Sequence, residues 1–539
     1  MRRGRRASVP AATRDVSSPS DTIATMNELI RYHDTRGLDA TARTFTDVLI
    51  KGIADGGGLF VPDEIPHLSI DDVMSLSGLR YRQRAARIFT AFGIDMPQTR
   101  IGELTRAAYG RNFDTFEVAP VVEIQPDTHV LELWHGPTSA FKDMALQCMP
   151  LLFSEAIEMR QAAGKATDDY LVLVATSGDT GKAALEGFAD RPHTRIAVFY
   201  PVDGVSDIQR KQMVTQRGDN VAVFGMHGNF DDCQNAVKAA FNDTTFNAEL
   251  HERHGTTLSS ANSINWGRLL PQVVYYVSAY ADMVADGGVK AGEPIDVCVP
   301  TGNFGNILGA YYAREMGVPI GRLICASNEN NVLTDFIATG TYDISQREFV
   351  RTPSPSMDIL VSSNLERLLW ELSREGASVR GWMRDLAEKH RFQVDRDTFV
   401  RVRDLLSADF VTNDESLATV RRVWNESHYL LDPHTAVAWE VAERQRGDDP
   451  ILVVATAHWA KFGTDVYKAL RGIAYGAPLP AEAASLSGVE LLAKLQEMAP
   501  SGACIPRPLA ELDQAEVRFS QVVDADGRGV EDALRKWLA

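Results

Sequence analysis

The sequence predicts an α/β protein built on parallel sheets. Three short β-branched runs, at residues 170–175, 295–300 and 451–455, each lead into a polar or glycine-rich turn and then a helical pattern. Strands that alternate with helices in this way are typical of parallel α/β sheets. The chain of 539 residues is also too long for one compact core, so we expect two or three packed domains.

Charge and hydrophobic content narrow the classes of ligand. The formal net charge is −17, and hydrophobic residues make up 45% of the chain, which is enough to fill its cores. Sites for nucleic acid need clustered positive surface, so this balance argues against a nucleic-acid partner. We therefore expect a small-molecule ligand, and any anionic group on it must be held by local donors.

Cysteine usage and hydropathy indicate the compartment. The five cysteines are widely scattered without a C-x-x-C pair, which favours a reducing, cytoplasmic setting and buried apolar side chains over disulfides or thiol catalysis. His251 and His254 lack the spacing of zinc ligands, so no metal site is predicted. No segment reaches the roughly 18 uncharged apolar residues that cross a bilayer, so no membrane partner is expected.

Local composition divides the chain into segments. Residues 1–25 are rich in arginine and serine and lack an apolar stretch, which indicates a disordered extension or an organellar leader. Charge-rich helical patterns between the second and third strands predict a helical insertion at about 340–430. The predicted organisation is an N-terminal region at 26–125, a smaller α/β domain at 126–265, a larger α/β domain at 266–485 that contains the insertion, and a C-terminal packing segment at 486–539.

The turn after the second strand is a candidate phosphate cradle. Thr301–Asn306 follows the run at 295–300 and opens a helix, so its glycines allow backbone amides to approach a phosphate at the positive helix end. These glycines do not have the spacing of the dinucleotide fingerprint G-x-G-x-x-G. An ordinary strand-to-helix turn is an equally good interpretation of this segment alone.

A second candidate turn is Thr176–Lys182. It places hydroxyl groups, glycine amides and Asp179 at a helix start, a combination suited to a carboxylate or a phosphate. It lacks the first glycine and the final hydroxyl residue of a Walker A sequence, so nucleotide hydrolysis is not predicted. In the alternative interpretation, Asp179 and Thr180 only cap the helix that follows.

Lys142 is a candidate for covalent chemistry. It stands at the head of an amphipathic helix within residues 135–147. Burial near a helix N-terminus disfavours the ammonium form of a lysine and supplies the free amine that a Schiff base requires. A lysine followed by an aspartate is more often a solvated helix residue, so this pattern alone leaves both interpretations open.

Seven segments follow one another over more than 300 residues: HGPTSAFKD, TSGDTG, SANSINWGRLLPQ, PTGNFGNILGAYYA, SPSMDILVSSNLERLLW, LDPHTAV and TAHWAKF. In this order they resemble threonine synthases of the longer bacterial and fungal branch. MNELIRYHDTRG, which begins at Met26, and DGGGLFVPDEIP look like the opening of the same family. The resemblance therefore extends from about Met26 to the C-terminal region.

The resemblance implies a type II pyridoxal-phosphate enzyme fold, similar to the β subunit of tryptophan synthase. Two open twisted sheets flanked by helices would hold pyridoxal 5′-phosphate between them, and the family's Schiff-base lysine corresponds to Lys142. Thr456 would face the pyridine nitrogen, where a hydroxyl group does not force that nitrogen to stay protonated. The cofactor phosphate would lie on Gly302, Asn303, Phe304, Gly305 and Asn306.

The resemblance also implies a substrate site. Lys182 and Arg268 would hold the substrate phosphate, since an acidic protein needs paired local charge to bind a dianion. An ordinary surface pair is the alternative interpretation of these two cations. The amino-acid carboxylate would be received by Thr176, Ser177, Asp179 and Thr180, with Asp179 near the ring hydroxyl of the cofactor or the substrate.

The implied activity is that of threonine synthase, which converts O-phospho-L-homoserine and water to L-threonine and phosphate. Lys142 would move protons at the substrate carbons. The alternatives are another type II lyase or synthase such as a dehydratase, a catalytically silent relative that binds a phosphorylated ligand, and a nucleotide-binding protein. Trp459 stands where the family often has proline, and with Trp266 it would narrow the pocket. We expect a monomer or homodimer.

Overall fold

The computed structural model describes residues 29–165, 168–176, 178–500 and 504–539. The predicted extension at 1–25 lies outside these residues. Within the described ranges, no helix combines the length and the apolar character that crossing a membrane requires. Four cysteines are buried as predicted, but Cys504 is exposed, in the non-helical residues directly before the helix at 507–510, so that expectation is wrong there.

The N-terminal region combines a small sheet with four helices. Strand β1 (Tyr32–Asp34) pairs antiparallel with β2 (Phe60–Pro62). The first helix begins after Thr44, whose hydroxyl accepts from the amide of Asp47 in a capping box. The helices are α1 (Phe45–Lys51), α2 (Ile70–Met74), α3 (Tyr81–Ala91) and α4 (Gln98–Ala108).

A hairpin and two helices follow the N-terminal region. The hairpin turns at Asp127, which adopts a left-handed conformation with φ 57°. Its strands pair antiparallel, and the second strand is buried along its whole length. The elements are β3 (Val121–Gln125), β4 (Thr128–Glu132), α5 (Lys142–Leu146) and α6 (Met149–Ala162).

Residues 169–259 alternate strands and helices and form a parallel sheet. The run predicted at 170–175 is confirmed as a strand, and its central residues are buried, as expected where helices cover both faces of a sheet. The elements are β5 (Asp169–Ala175), α7 (Asp179–Phe188), β6 (Thr194–Pro201), α8 (Asp207–Val214), β7 (Val221–Met226), α9 (Phe230–Asn242), α10 (Thr244–His254) and β8 (Thr256–Ser259).

A long buried helix opens the second α/β part. This helix, α11 (Trp266–Ala285), is buried on nearly all sides, which accounts for its almost uniformly apolar sequence. The next elements repeat the strand–helix order: β9 (Ile295–Pro300), α12 (Gly305–Glu315), β10 (Ile320–Ser327) and α13 (Val332–Thr339). The run predicted at 295–300 is therefore confirmed as a strand.

Helices dominate the segment between β10 and the last strand of this part. The segment contains a small antiparallel pair, β11 with β12, in addition to its helices. The elements are β11 (Thr341–Asp343), α14 (Leu365–Ser373), α15 (Gly376–Lys389), β12 (Arg391–Gln393), α16 (Arg396–Leu405), β13 (Leu406–Phe410), α17 (Asn413–Ser427), α18 (Pro433–Arg444), β14 (Ile451–Ala455) and α19 (Gly463–Arg471).

Two open sheets organise the molecule. The larger has the order β13-β10-β9-β14-β4-β3, in which every neighbouring pair is parallel except β3 with β4. The run predicted at 451–455 is its strand β14. Because the parallel strands point the same way, the turns that follow β9 and β14 meet at one edge.

The C-terminal segment completes the smaller sheet. Its elements are α20 (Ala481–Ala484), α21 (Gly488–Met498), α22 (Arg507–Ala510), β15 (Val522–Val523) and α23 (Gly527–Leu538). Strand β15 pairs parallel with β7, which gives the order β15-β7-β6-β5-β8. Strand β4, which lies within the segment 126–265, belongs to the larger sheet, so that segment contributes to both sheets. The domain boundaries stay predictions.

Candidate active site

The main chain around Lys142 is fixed to the end of β14. The amide of Phe141 donates to the carbonyl of Thr456 over 2.7 Å, and Ala140 forms an antiparallel bridge with Ala457. Helix α5 begins at Lys142, whose side chain is only 8% exposed. The fold therefore holds this lysine inside the protein at the carboxyl edge of the larger sheet.

The amine of Lys142 lies near polar groups of two distant segments and near an aromatic ring of its own segment. Its Nζ donates to Ser356 Oγ over 3.1 Å and lies 3.9 Å from Asp179 Oδ2. It also lies 4.9 Å from the centre of the Phe141 ring. The predicted burial of this lysine is confirmed, and the interpretation as a solvated helix residue is wrong.

Burial lowers the pKa of Lys142 to about 8. The carboxylate of Asp179 opposes this shift, while the positive charges of Arg268 and Lys461 act in the same direction as burial. A lysine in this environment has a much larger fraction of free amine near neutral pH than a solvated lysine. The site can therefore present a nucleophilic and basic nitrogen.

Asp179 is the centre of a buried network of hydrogen bonds. Its Oδ1 lies 2.8 Å from Lys461 Nζ and accepts from Gln209 Nε2 over 2.9 Å, and its Oδ2 accepts from Ser356 Oγ over 3.3 Å. Burial alone would raise the pKa of Asp179, but the ammonium groups of Lys461 and Lys142 hold it well below its usual range. Asp179 is therefore a permanent negative charge.

The turn after β5 is shaped by Thr176. Its hydroxyl accepts from the amides of Gly178 and Gly181 over 3.0 and 2.9 Å. The N-cap residue of α7 is Gly178, and no side chain forms a capping hydrogen bond there. The interpretation of Asp179 and Thr180 as side-chain caps is therefore wrong. The hydroxyl of Thr176 takes the place of a side-chain cap for the amide of Gly181. Ser177 lies outside the described residues.

Arg268 is a buried cation without an ion-pair partner in the described part of the chain. Its Nη1 donates to the carbonyl of Ala261 over 2.8 Å, and its Nη2 donates to Thr180 Oγ1 over 3.4 Å. Burial lowers the pKa of its guanidinium to about 10. A charge withdrawn from water costs several kcal/mol unless it is paired, so this guanidinium suits an anionic ligand.

Lys182, the other predicted phosphate cation, has a different environment. Its Nζ donates to Glu186 Oε2 over 2.8 Å, one turn further along α7, and also to Gln216 Oε1. The protein itself therefore balances the charge of Lys182. Its predicted contact with a substrate phosphate stays a prediction, and Arg268 is the better placed of the two cations.

The turn Thr301–Asn306 joins β9 to α12 as predicted. Phe304 adopts a left-handed conformation with φ 64°, and α12 begins at the next residue. The carbonyl of Gly302 accepts from Ser362 Oγ over 2.6 Å, while a Cβ at Gly302 would lie 2.8 Å from the carbonyl oxygen of Ser356. Only glycine fits this close approach. The approach places the turn directly against Ser356, the residue that contacts Lys142.

Other contacts of the same turn leave one donor unused. The carbonyl of Asn303 accepts from the amide and the Nδ2 of Asn364 over 3.2 and 3.0 Å. Asn306 Oδ1 accepts from the hydroxyls of Tyr275 and Tyr276 over 2.5 and 2.6 Å, but its buried Nδ2 has no partner among the described residues. The start of α12, with Gly305, therefore offers free backbone and side-chain donors to an anion.

The remaining predicted residues lie around this centre or in the core. Thr456 is buried directly after β14, beside the segment that carries Lys142. Trp459 is buried with its ring centre 5.3 Å from that of His458, and its Nε1 has no described partner. Trp266 packs in the core, 5.2 Å from the ring of Tyr312, which gives it a role in packing.

Sequence reasoning missed four residues of the site: Ser356, Lys461, Gln209 and His434. His434 Nε2 accepts from the amide of Ser356 over 3.1 Å, and its Nδ1 lies 2.7 Å from Asp432 Oδ1. Ser356, Lys461 and His434 lie in segments that carry the family resemblance, but no local pattern distinguishes them. Gln209 belongs to the capping box that Ser206 opens at the start of α8, a pattern that marks a helix start but does not indicate contact with Asp179.

Three family descriptions match successive parts of the chain, of which the second and third overlap. Residues 31–109 match "Threonine synthase N terminus". Residues 124–457 match "Pyridoxal-phosphate dependent enzyme", and residues 435–534 match "Threonine synthase, C-terminal". Together the three matches span most of the chain.

Individual relatives agree with these matches. "Threonine synthase-like 1" of Homo sapiens is 45% identical over 441 residues, which are 80% of this chain and 58% of that protein, so the chain spans less than two thirds of that relative. Threonine synthase of Pseudomonas aeruginosa is 38% identical over 464 residues, or 85% of this chain and 93% of the relative. The crystal structure of pyridoxal-phosphate-bound threonine synthase from Brucella melitensis has a TM-score of 0.80 at 36% identity and covers 94% and 99% of the two chains.

These findings and the two-sheet architecture define a pyridoxal-phosphate-dependent enzyme with the type II fold, and pyridoxal 5′-phosphate is its cofactor. The chain belongs to the threonine synthase family. The site fits this cofactor, because Lys142 offers a buried amine to its aldehyde and the unpaired Nδ2 of Asn306 at the start of α12 suits its phosphate. The predicted fold and cofactor are confirmed.

Proposed function

We propose that this enzyme converts O-phospho-L-homoserine and water to L-threonine and phosphate. The observation that carries the proposal is the buried Lys142 amine, which contacts Ser356 next to the glycine-rich turn and lies within the electrostatic influence of the unpaired Arg268. A phosphorylated amino acid needs both features: a basic nitrogen for proton transfer and a cation for its phosphate. Relatives named threonine synthase over nearly their full length support the proposal.

The residues that would hold the cofactor come from three turns. Lys142 would bind its aldehyde, the Gly302–Asn306 turn would bind its phosphate, and the hydroxyl of Thr456 would face its ring nitrogen. When bound, pyridoxal 5′-phosphate supplies an electron sink for charge that develops on the substrate carbons. The protein supplies position, proton transfer and exclusion of water.

Lys142 would act as the base and then the acid of the reaction. Its amine would take a proton from one substrate carbon and return a proton to another, which requires a nitrogen that changes protonation state easily near neutral pH. The pKa of about 8 meets this requirement. Ser356, whose hydroxyl accepts from Lys142 Nζ and donates to Asp179, would hold this amine in place between proton transfers.

The substrate would lie between the turn at 176–180 and Arg268. The hydroxyls and amides of that turn would receive the amino-acid carboxylate, as predicted for Thr176, Ser177 and Thr180, with Asp179 close by. Arg268, with Lys182 as the second predicted cation, would hold the phosphate until it leaves. A buried anion site of this kind also keeps water from the reacting carbons until elimination is complete.

A second candidate is elimination of phosphate without formation of threonine. The relatives at 45% identity carry the name "threonine synthase-like", which states a likeness and not an activity. In this alternative, O-phospho-L-homoserine and water give 2-oxobutanoate, ammonia and phosphate. The same lysine and arginine would serve both reactions, so product analysis decides between them.

The test is a product assay on the purified, cofactor-loaded protein. We expect phosphate and L-threonine to appear in equal amounts from O-phospho-L-homoserine, and Lys142→Ala to lose at least about 10³-fold in kcat. Phosphate with 2-oxobutanoate in place of threonine would establish the second candidate. Phosphate release that is unchanged in Lys142→Ala, or absent from the wild type, would reject both.

A further inference from the structure

Two buried lysines share one carboxylate at the site. Lys461 is completely buried, and its Nζ lies 2.8 Å from Asp179 Oδ1. Lys142 Nζ lies 3.9 Å from Asp179 Oδ2 and contacts that carboxylate through the hydroxyl of Ser356. The carboxylate therefore pairs more closely with Lys461, a lysine to which no role has been given so far.

Further hydrogen bonds fix this arrangement. Lys461 Nζ also donates to the carbonyl of Thr138 over 2.8 Å, and its own carbonyl accepts from Ser206 Oγ over 3.0 Å. Gln209 Nε2 donates to the same Oδ1 of Asp179 that Lys461 contacts. These contacts fix the Asp179 carboxylate through its Oδ1. Its other oxygen, Oδ2, is left at longer distances, 3.3 Å from Ser356 Oγ and 3.9 Å from Lys142 Nζ.

Two carboxylates and two cations surround the Lys142 amine. Its own helix contributes a carboxylate that is already bonded to the amide and hydroxyl of Thr138, each over 2.8 Å. His434 on α18 contacts this group of residues through the amide of Ser356, which donates to its Nε2 over 3.1 Å. The charged groups that face the Lys142 amine are Asp143 on α5, Asp179 on α7, Arg268 on α11 and Lys461 after β14.

We propose that Lys461 is a positioning residue: it holds Asp179 close as its own counter-ion and so weakens the stabilisation that this carboxylate gives to the ammonium form of Lys142. The attraction between two charges falls with distance, so a carboxylate fixed close to one ammonium group favours that group over the more distant one. Without Lys461, Asp179 would turn to Lys142. The inference rests on the proposed role of Lys142 as the lysine that carries the cofactor.

The test measures the protonation midpoint of Lys142 in the full chain after removal of the cofactor. Competitive labelling with acetic anhydride at a series of pH values, followed by mass spectrometry of the peptide that contains Lys142, gives this midpoint. In the wild type we expect it near 8. Lys461→Gln should raise it by about one pH unit, which leaves roughly tenfold less free amine at pH 7.

A matched control removes a buried lysine from the same part of the chain. Lys468 on α19 is 9% exposed and donates to the carbonyl of Tyr475, away from Asp179. Lys468→Met should leave the Lys142 midpoint unchanged. A midpoint that stays constant or falls in Lys461→Gln would overturn the proposal, and so would an equal rise in Lys468→Met.

Direct repulsion between the ammonium groups of Lys461 and Lys142 would also lower the protonation midpoint of Lys142. A double-mutant cycle separates this repulsion from the effect that Lys461 has through Asp179. In the Asp179→Asn background, Lys461→Gln removes only the repulsion. We expect the shift in that background to be less than half of the shift measured with Asp179 present. Equal shifts in the two backgrounds would show that Lys461 does not act through the carboxylate.

Lys461→Arg covers the case in which Lys461→Gln does not fold. The arginine keeps the charge and can bind the carboxylate with two hydrogen bonds, so the midpoint should stay at or below the wild-type value. A rise in this variant contradicts the proposal. Borohydride reduction of the cofactor-loaded protein reports separately on the proposed function: an adduct on a lysine other than Lys142 rejects that function whatever the midpoints show.

Discussion

At the scale of single residues, the site depends on charges that the fold keeps out of water. Lys142 is buried where its free amine is favoured, and Asp179 is buried where its negative charge is fixed. Arg268 lies beside them without a carboxylate of its own in the described residues. These three environments explain how a protein with a net charge of −17 can present a site for anions.

The two predicted phosphate cations should behave differently when they are replaced. Arg268→Gln should raise KM for O-phospho-L-homoserine and lower kcat/KM by about 10²-fold or more, because a buried charge-assisted contact is lost. Lys182→Gln should cost less than about tenfold, because Glu186 already balances the charge of Lys182. Steady-state kinetics of both variants check this, and a larger loss in Lys182→Gln would reverse the assignment.

Single residues also show what the sequence alone can predict. Lys142 and the Gly302–Asn306 turn were predictable because local motifs mark them and the family resemblance identifies them. Ser356 contacts Lys142 from 214 residues away, and Lys461 contacts Asp179 from a different turn again. No spacing pattern encodes such contacts, because they arise only when the two sheets pack.

At the scale of elements, the turns that follow parallel strands build the site. The turn after β5 supplies Thr176 and Asp179, the turn after β9 supplies the phosphate cradle, and the turn after β14 supplies Thr456 and Lys461. The sequence predicted all three strands, because each is a β-branched run that helices cover on both faces. It did not predict how α7 begins, since the Thr176 hydroxyl replaces a side-chain cap.

The close approach of Gly302 gives an element-scale prediction. Gly302→Ala would place a Cβ 2.8 Å from the carbonyl oxygen of Ser356, so the turn must move away from the Lys142 segment. We expect the affinity for pyridoxal 5′-phosphate to fall by at least about tenfold, which corresponds to roughly 1.4 kcal/mol. Equilibrium titration of the cofactor-free protein, followed by absorbance, measures this change.

Gly102→Ala is the control for that substitution. Gly102 lies in α4, where an added Cβ meets nothing within 4 Å. The affinity for the cofactor should not change, and the helix should gain up to about 1 kcal/mol. Equal cofactor affinities of Gly302→Ala and the wild type would show that the turn does not need its close contact with Ser356.

At the scale of the whole molecule, the C-terminal segment joins parts of the chain that lie far apart in sequence. Strand β15 extends the smaller sheet, and α23 packs on α9 of the same sheet. Helix α21 packs on both α19 and α8, which belong to the two α/β parts. Composition indicated a packing segment here, but the short strand β15 had no recognisable pattern, because two residues are too few to show alternation.

Leu534 tests the contribution of this segment to stability. It is fully buried on α23, so Leu534→Ala should lower the free energy of unfolding by about 2–5 kcal/mol through the cavity it leaves. Val517→Ala, at a position that is 58% exposed, should change it by less than about 0.5 kcal/mol. Urea denaturation of the two variants beside the wild type measures both values, and similar losses would contradict the packing role.

The most direct test of the central claim is to identify the lysine that carries the cofactor. The purified protein is loaded with pyridoxal 5′-phosphate, reduced with borohydride, digested and analysed by mass spectrometry. We expect one reduced adduct, on Lys142, and its loss in Lys142→Ala. An adduct on Lys461, the second buried lysine at the site, or no adduct in the wild type, would contradict the account.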